Sequence, residues 1–180
     1  MEVMDPVQDM AILLQHGVFF GTNFGVFMGL AFVGLAYLNP EIWLLDYPPD
    51  IREKFGPMSE KAKKQRRLAG IPVFLLLAAT IVFATVRFAR IDGGESTFFA
   101  VFLGVFTVLL VFNVVELVIL DWLIFVTIRP RIVVLPGTEG MEGYGDYGFH
   151  FRTFLKGVVG SAAASLVIAG VALVVEALVA

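Results

Sequence analysis

Four stretches of this chain, residues 18–38, 71–89, 98–126 and 154–179, are long and apolar enough to cross a bilayer as helices. A hydrocarbon core about 30 Å thick takes about 20 apolar residues at a rise of 1.5 Å each. In lipid every backbone polar group must be bonded internally, which leaves only helices and closed barrels. The two-residue alternation that a barrel strand requires is missing. The expected fold is therefore an all-α integral membrane protein, an antiparallel bundle of four transmembrane helices in one membrane domain over 1–180. A soluble domain of this size has no interior for a chain that is 58% hydrophobic and 16% charged; soluble domains carry about 25% charged residues. The third stretch exceeds the core and has to tilt or project. The second opens with Pro72, expected in a first helical turn, where a missing N–H is harmless.

The basic residues give direction. Seven lie in the 39–70 loop (Arg52, Lys54, Lys61, Lys63, Lys64, Arg66 and Arg67) and four between 127 and 156 (Arg129, Arg131, Arg152 and Lys156). Only Arg87 and Arg90 lie in the 87–97 segment, and both ends of the chain have none. The positive-inside rule then predicts both termini outside the cell membrane and two long cytoplasmic loops, about 39–70 and 127–153. An even number of spans demands termini on one side, in agreement. The acidic first residues, MEVMDPVQDM, lack the positive start of a cleavable signal, so the first apolar run is expected to be a retained anchor. A net charge of −3 argues against nucleic acid as a partner. The absence of cysteine excludes thiolate chemistry and disulfides.

Within the first loop, Asn39-Pro40 is expected to end the first span, and Ser59 to cap a helix opening with EKAKKQRR. The polybasic group Lys61, Lys63, Lys64, Arg66 and Arg67 adjoins the second span. Each such charge near an anionic leaflet contributes about 1 kcal/mol, so anionic lipids are an expected partner. The second loop holds RIVVL, with strand character, and then a glycine run that includes Gly143, Gly145 and Gly148. Their G-x-G-x-x-G spacing lacks the βαβ unit and downstream acid that a dinucleotide site needs. No cofactor or metal site is predicted. Arg129, Arg131, His150, Arg152 and Lys156 gather around the start of the fourth span, where a helix N-terminus attracts anions or lipid headgroups; snorkelling basic residues on a turn are the alternative.

Ionisable groups inside spans are costly and rarely idle. The third span carries Asn113, Glu116 and Asp121. Asn113 and Glu116, three apart, share a helical face. At α-helical spacing Asp121 is turned about 140° from Glu116 and is expected near the cytoplasmic interface, within reach of Arg129 or Arg131. Glu116 lies roughly 8 Å inward of the midplane at 1.5 Å per residue. It is either a proton-carrying or cation-binding group partnered by Asn113, or a neutral acid bonded to a neighbouring helix. Asn23 of the first span is another possible partner.

Small residues recur every fourth position in the first span (Gly17, Gly21, Gly25 and Gly29) and in the fourth (Gly157, Ser161, Ser165 and Ala169). Such ridges let helix backbones approach closely. Depth predicts that the two ridges overlap only near the midplane, with Gly25 and Gly29 beside Ser165 and Ala169, and that each leaves half its length to another helix, subunit or lipid. The expected function is a small polytopic membrane protein acting by helix–helix association, as a homo-oligomer or accessory subunit. An oligomeric channel or proton-coupled transporter using Glu116 is one alternative; a lipid-headgroup enzyme with a cytoplasmic-face site is another.

Overall fold

The computed structural model describes residues 6–89 and 97–179, with side chains over 10–86 and 97–178. Helix α1 spans Pro6–Leu38, a 3-10 helix follows over Pro40–Asp46, and α2 covers Pro49–Phe55. Helix α3 runs Glu60–Ala89, and α4, Phe98–Val115, continues as a π-helix over Glu116–Ile128. Short 3-10 turns at Arg131–Val133 and Glu142–Gly145 lead into α5, Tyr147–Val179. The described residues contain no strand. Four helices, Met10–Leu38, Glu60–Val86, Phe98–Ile128 and Tyr147–Leu178, are long and apolar enough to cross a membrane. The chain is a four-helix membrane protein. Arg87 and Arg90 lie outside the described side chains.

Two local expectations are corrected. Pro72 sits inside α3 and not in its first turn, because the polybasic segment contains no helix breaker and the helix starts at Glu60, well before the proline, after Ser59. Ser59 does cap it, accepting from Ala62 N at 3.2 Å. Other groups in a membrane protein re-satisfy the carbonyl that an internal proline frees. RIVVL is not a strand, because an extended segment needs a paired neighbour. Its first three residues make a 3-10 turn, and Val133 and Leu135 are buried.

The chain forms two compact units. The first comprises Met1–Gly25, Leu77–Val114 and Leu155–Ala180. Here the glycine ridge of α1 packs on α4. A Cβ at Gly17 would lie 2.7 Å from Thr107 Cγ2, and one at Gly21 would lie 2.5 Å from the Val108 carbonyl oxygen. The Gly21 position also lies 2.8 Å from Val111 Cβ, so advancing four residues on α1 advances four on α4, from Thr107 to Val111, and the two helices run parallel. The fourth-span ridge also meets α4, in the opposite direction. Ser161 accepts from Asn113 Nδ2 at 3.0 Å, and Ala169 packs with Val101, Val105 and Leu109. Both ridges therefore dock on the third span, which offers a side to each. Ala169, expected beside Gly25 and Gly29, packs on α4 instead. Gly25 is buried.

The second unit comprises Val26–Leu76 and Val115–Phe154. In it Gly29 faces Leu120, with a Cβ position 3.6 Å from Leu120 Cδ2. The unit has a core of the kind water-soluble proteins build, centred on Tyr47, Ile51, Phe125, Val133, Leu135 and Tyr144. Its two tyrosines are fully buried, and their hydroxyls are matched. Tyr47 donates to the Val133 carbonyl at 2.8 Å. Tyr144 accepts from Leu135 N at 2.9 Å and pairs with the Thr138 hydroxyl at 2.7 Å. Burial pushes the Tyr47 phenol above its ordinary range, and the nearby Tyr144 and Asp46 add to that. Gly143 leaves no room for a side chain against Asp50, whose carboxylate accepts from Gly143 N at 3.0 Å.

Candidate functional site

The site is built where the third span changes its winding. Over Glu116–Ile128 the hydrogen bonds skip five residues: Arg129 N donates to Ile124 O at 2.9 Å, and the Thr127 hydroxyl to Trp122 O at 2.7 Å. Bonding from i to i+5 widens the helix and brings residues five apart roughly above one another. Glu116 and Asp121 are five apart. The α-helical expectation that Asp121 faces away from Glu116 is corrected by this π-helical segment. Asp121 and Asp46 are the charged groups whose fields reach Glu116, which is half-buried.

Asp121 does not meet Arg129 or Arg131. Its Oδ1 lies 3.1 Å from Nδ1 of His150 on α5. His150 is 3% exposed and sits between rings, 5.0 Å from Phe125 and 5.3 Å from Phe149, centroid to centroid. Its other ring nitrogen, Nε2, is buried with no hydrogen-bond partner among the described residues. Trp122, next to Asp121, packs against Tyr147 and Phe151 of α5, and Thr127 meets the Tyr147 hydroxyl at 2.8 Å. These contacts fasten α5 to the π-helical segment on both sides of the pair.

The basic candidates are not gathered into a pocket. Arg129 ends the π-helix in the left-handed region, at φ 48°. Its guanidinium donates to Val126 O at 3.2 Å and lies over the Tyr144 ring. Arg152 reaches Asp146 at 3.5 Å; Arg131 and Lys156 are exposed. The N-terminus of α5 already holds an anion, for Asp146 accepts from Phe149 N at 2.8 Å. Of the polybasic group, Lys63 pairs with Glu60 and Arg66 with Asp46. Arg66 also donates to Ile42 O and lies over Trp43. Lys61, Lys64 and Arg67 project outward.

Asn113 is engaged elsewhere than at Glu116. Its amide nitrogen donates to Leu109 O at 2.7 Å and to Ser161, and its oxygen lies against Gly157. Asn23 donates to Phe19 O of its own helix, and His16 Nδ1 lies 2.8 Å from Ile12 O. Asn113 and Asn23 therefore bond to backbone and to Ser161, and the contact between titratable side chains of the third span and α5 is Asp121–His150. No family model matches the chain, and neither a curated protein nor a solved structure matches it. Function has to be argued from this geometry.

Proposed function

We propose that this protein moves protons or cations across the bilayer, as a channel or a proton-coupled transporter, with Glu116, Asp121 and His150 as its working groups. The observation that carries this reading is the 3.1 Å contact between Asp121 and His150, made between two helices each long and apolar enough to span. Charged groups are rare in spans and mark ion or proton pathways. A carboxylate in contact with an imidazole across two helices is a pair of groups able to pass a proton. π-Helical turns concentrate at functional sites, and here Asp121 lies within one.

The charge distribution supports an orientation with both termini outside the plasma membrane and the long loops in the cytoplasm. The site then lies toward the cytoplasmic ends of its two helices, and Lys61, Lys64 and Arg67 face anionic headgroups. Arg129 and Arg152 are tied to their own chain, which favours ion handling over headgroup chemistry. The test is flux in proteoliposomes. Wild type should dissipate an imposed pH or cation gradient, and Glu116→Gln should reduce the rate to that of protein-free vesicles. Unchanged flux in a folded Glu116→Gln protein would sink the reading.

A second reading, association as a homo-oligomer or accessory subunit, has one observation of its own. Gly160 and Ala164, four apart on α5, are exposed, and nothing lies within 4 Å of a Cβ placed at Gly160. Small residues at that spacing promote close helix contacts in membranes. Native mass spectrometry of wild type and Gly160→Leu distinguishes the cases: an oligomer that the substitution dissociates favours association.

A further inference from the structure

We propose that the ion carried by this site is the proton, and that Nε2 of His150 is the atom that loads it. The proposal rests on the ion-handling reading and names its substrate. The two ring nitrogens of a histidine are set by each other's partners. Asp121 Oδ1, 3.1 Å from Nδ1, accepts the Nδ1 proton, so in the neutral ring Nε2 carries a free lone pair. That lone pair is buried and has no hydrogen-bond partner among the described residues, and the ring is held at 3% exposure by Phe125 and Phe149. His150 is oriented by a carboxylate at Nδ1, while its Nε2 is buried and has no partner among the described residues.

Loading adds one proton to the Nε2 lone pair. The resulting imidazolium keeps its Nδ1–H on Asp121, whose negative charge balances it in the low-dielectric interior. Release returns the neutral ring, and no bond other than Nε2–H forms or breaks. A metal cation at Nε2 would need further protein ligands, and no group of three or more His, Cys, Asp or Glu side chains placed to hold one occurs among the described residues. The other groups that bear on the ring are identifiable. Glu116 lies one π turn before Asp121. Tyr144 and Tyr47 both pack on Phe125, which His150 touches. Arg129 lies over Tyr144, Arg152 shares the first turns of α5 with His150, and Asp146, just before that helix, pairs with Arg152.

Two measurements test this. The chain has two histidines, so nitrogen-15 histidine NMR of the full protein in lipid bilayers, with His16→Gln for assignment, reads His150 directly. The expected result is a neutral ring protonated at Nδ1 that converts to imidazolium as pH falls. A neutral ring protonated at Nε2, or a ring that does not titrate, overturns the proposal. In proteoliposomes, His150→Asn keeps an N–H donor toward Asp121 while deleting Nε2. It should lose proton flux yet melt within a few degrees of wild type, whereas a folded His150→Asn protein with wild-type flux overturns the proposal and leaves the ion-handling reading standing. A sodium-driven current in wild type that ignores pH has the same consequence. Wild-type vesicles that pass no ion overturn both.

Discussion

Gly21 in one unit and Tyr144 in the other are both fully packed, and they are packed by opposite means. Gly21 is tolerated because it has no side chain where the Val108 carbonyl passes. Tyr144 is tolerated because its side chain is large and every polar end of it is matched. The first unit solves a membrane problem, in which lipid is as apolar as leucine and close backbone approach supplies the attraction. The second builds a core from two loop segments, in which buried hydroxyls bond to main chain that would otherwise be unsatisfied. The lesson concerns where each unit tolerates change: the first resists added volume, the second resists lost polarity.

The largest effect should come from Gly21→Val. Its branched side chain meets backbone, which cannot step aside as a rotamer would, and overpacking of this kind costs about 3 kcal/mol. A melting curve in detergent should show a large fall; a wild-type midpoint would break the account of the first unit. Tyr144→Phe keeps the ring and removes the hydroxyl, leaving Leu135 N buried and unbonded, at about 1–3 kcal/mol. The same melting assay should show this loss.

Tyr47 sharpens the contrast through pH. Its phenol is held above the ordinary value near 10 by burial, so above pH 10 the unfolded chain releases a proton that the folded chain keeps. The unfolded state then binds fewer protons and stability falls as pH rises, by about 1.4 kcal/mol per unit. Below pH 10 the contribution is constant and complete. Denaturation across this range should show the extra slope in wild type and not in Tyr47→Phe. The smallest effect is a gain. At Gly29 a methyl makes ordinary contact with Leu120, and replacing a helical glycine by alanine relieves up to about 1 kcal/mol. Gly29→Ala should melt slightly higher, whereas Gly21→Val falls.

The four spans were legible because hydropathy over a bilayer-length window is a local property of sequence. The cap at Ser59 was legible for a similar reason, since a hydroxyl ahead of a charged helical run is a local signal. The winding of Glu116–Ile128 was not, because nothing in FNVVELVILDWLIF announces a π-helix, and α-helical spacing turned Asp121 away from Glu116. The Asp121–His150 pair does leave a signal in the sequence. Both residues flank the same loop near the membrane ends of consecutive spans, so they lie at comparable depth. Tyr47 and Tyr144 were invisible as core residues, since their burial depends on two loops meeting that are far apart in sequence. The glycine ridge was recognised as a packing surface, but its partner was not. Small-residue spacing marks a face without saying which helix lies on it, and here α4 takes both ridges.

The central claim is that the acid–histidine pair joining the third span to α5 is the working part of the molecule. Asp121→Asn tests it most directly, because the amide keeps the shape of the side chain and removes its charge. Proton flux into proteoliposomes should drop to the level of protein-free vesicles while the melting midpoint stays near that of wild type. Wild-type flux from a folded Asp121→Asn protein would contradict the account.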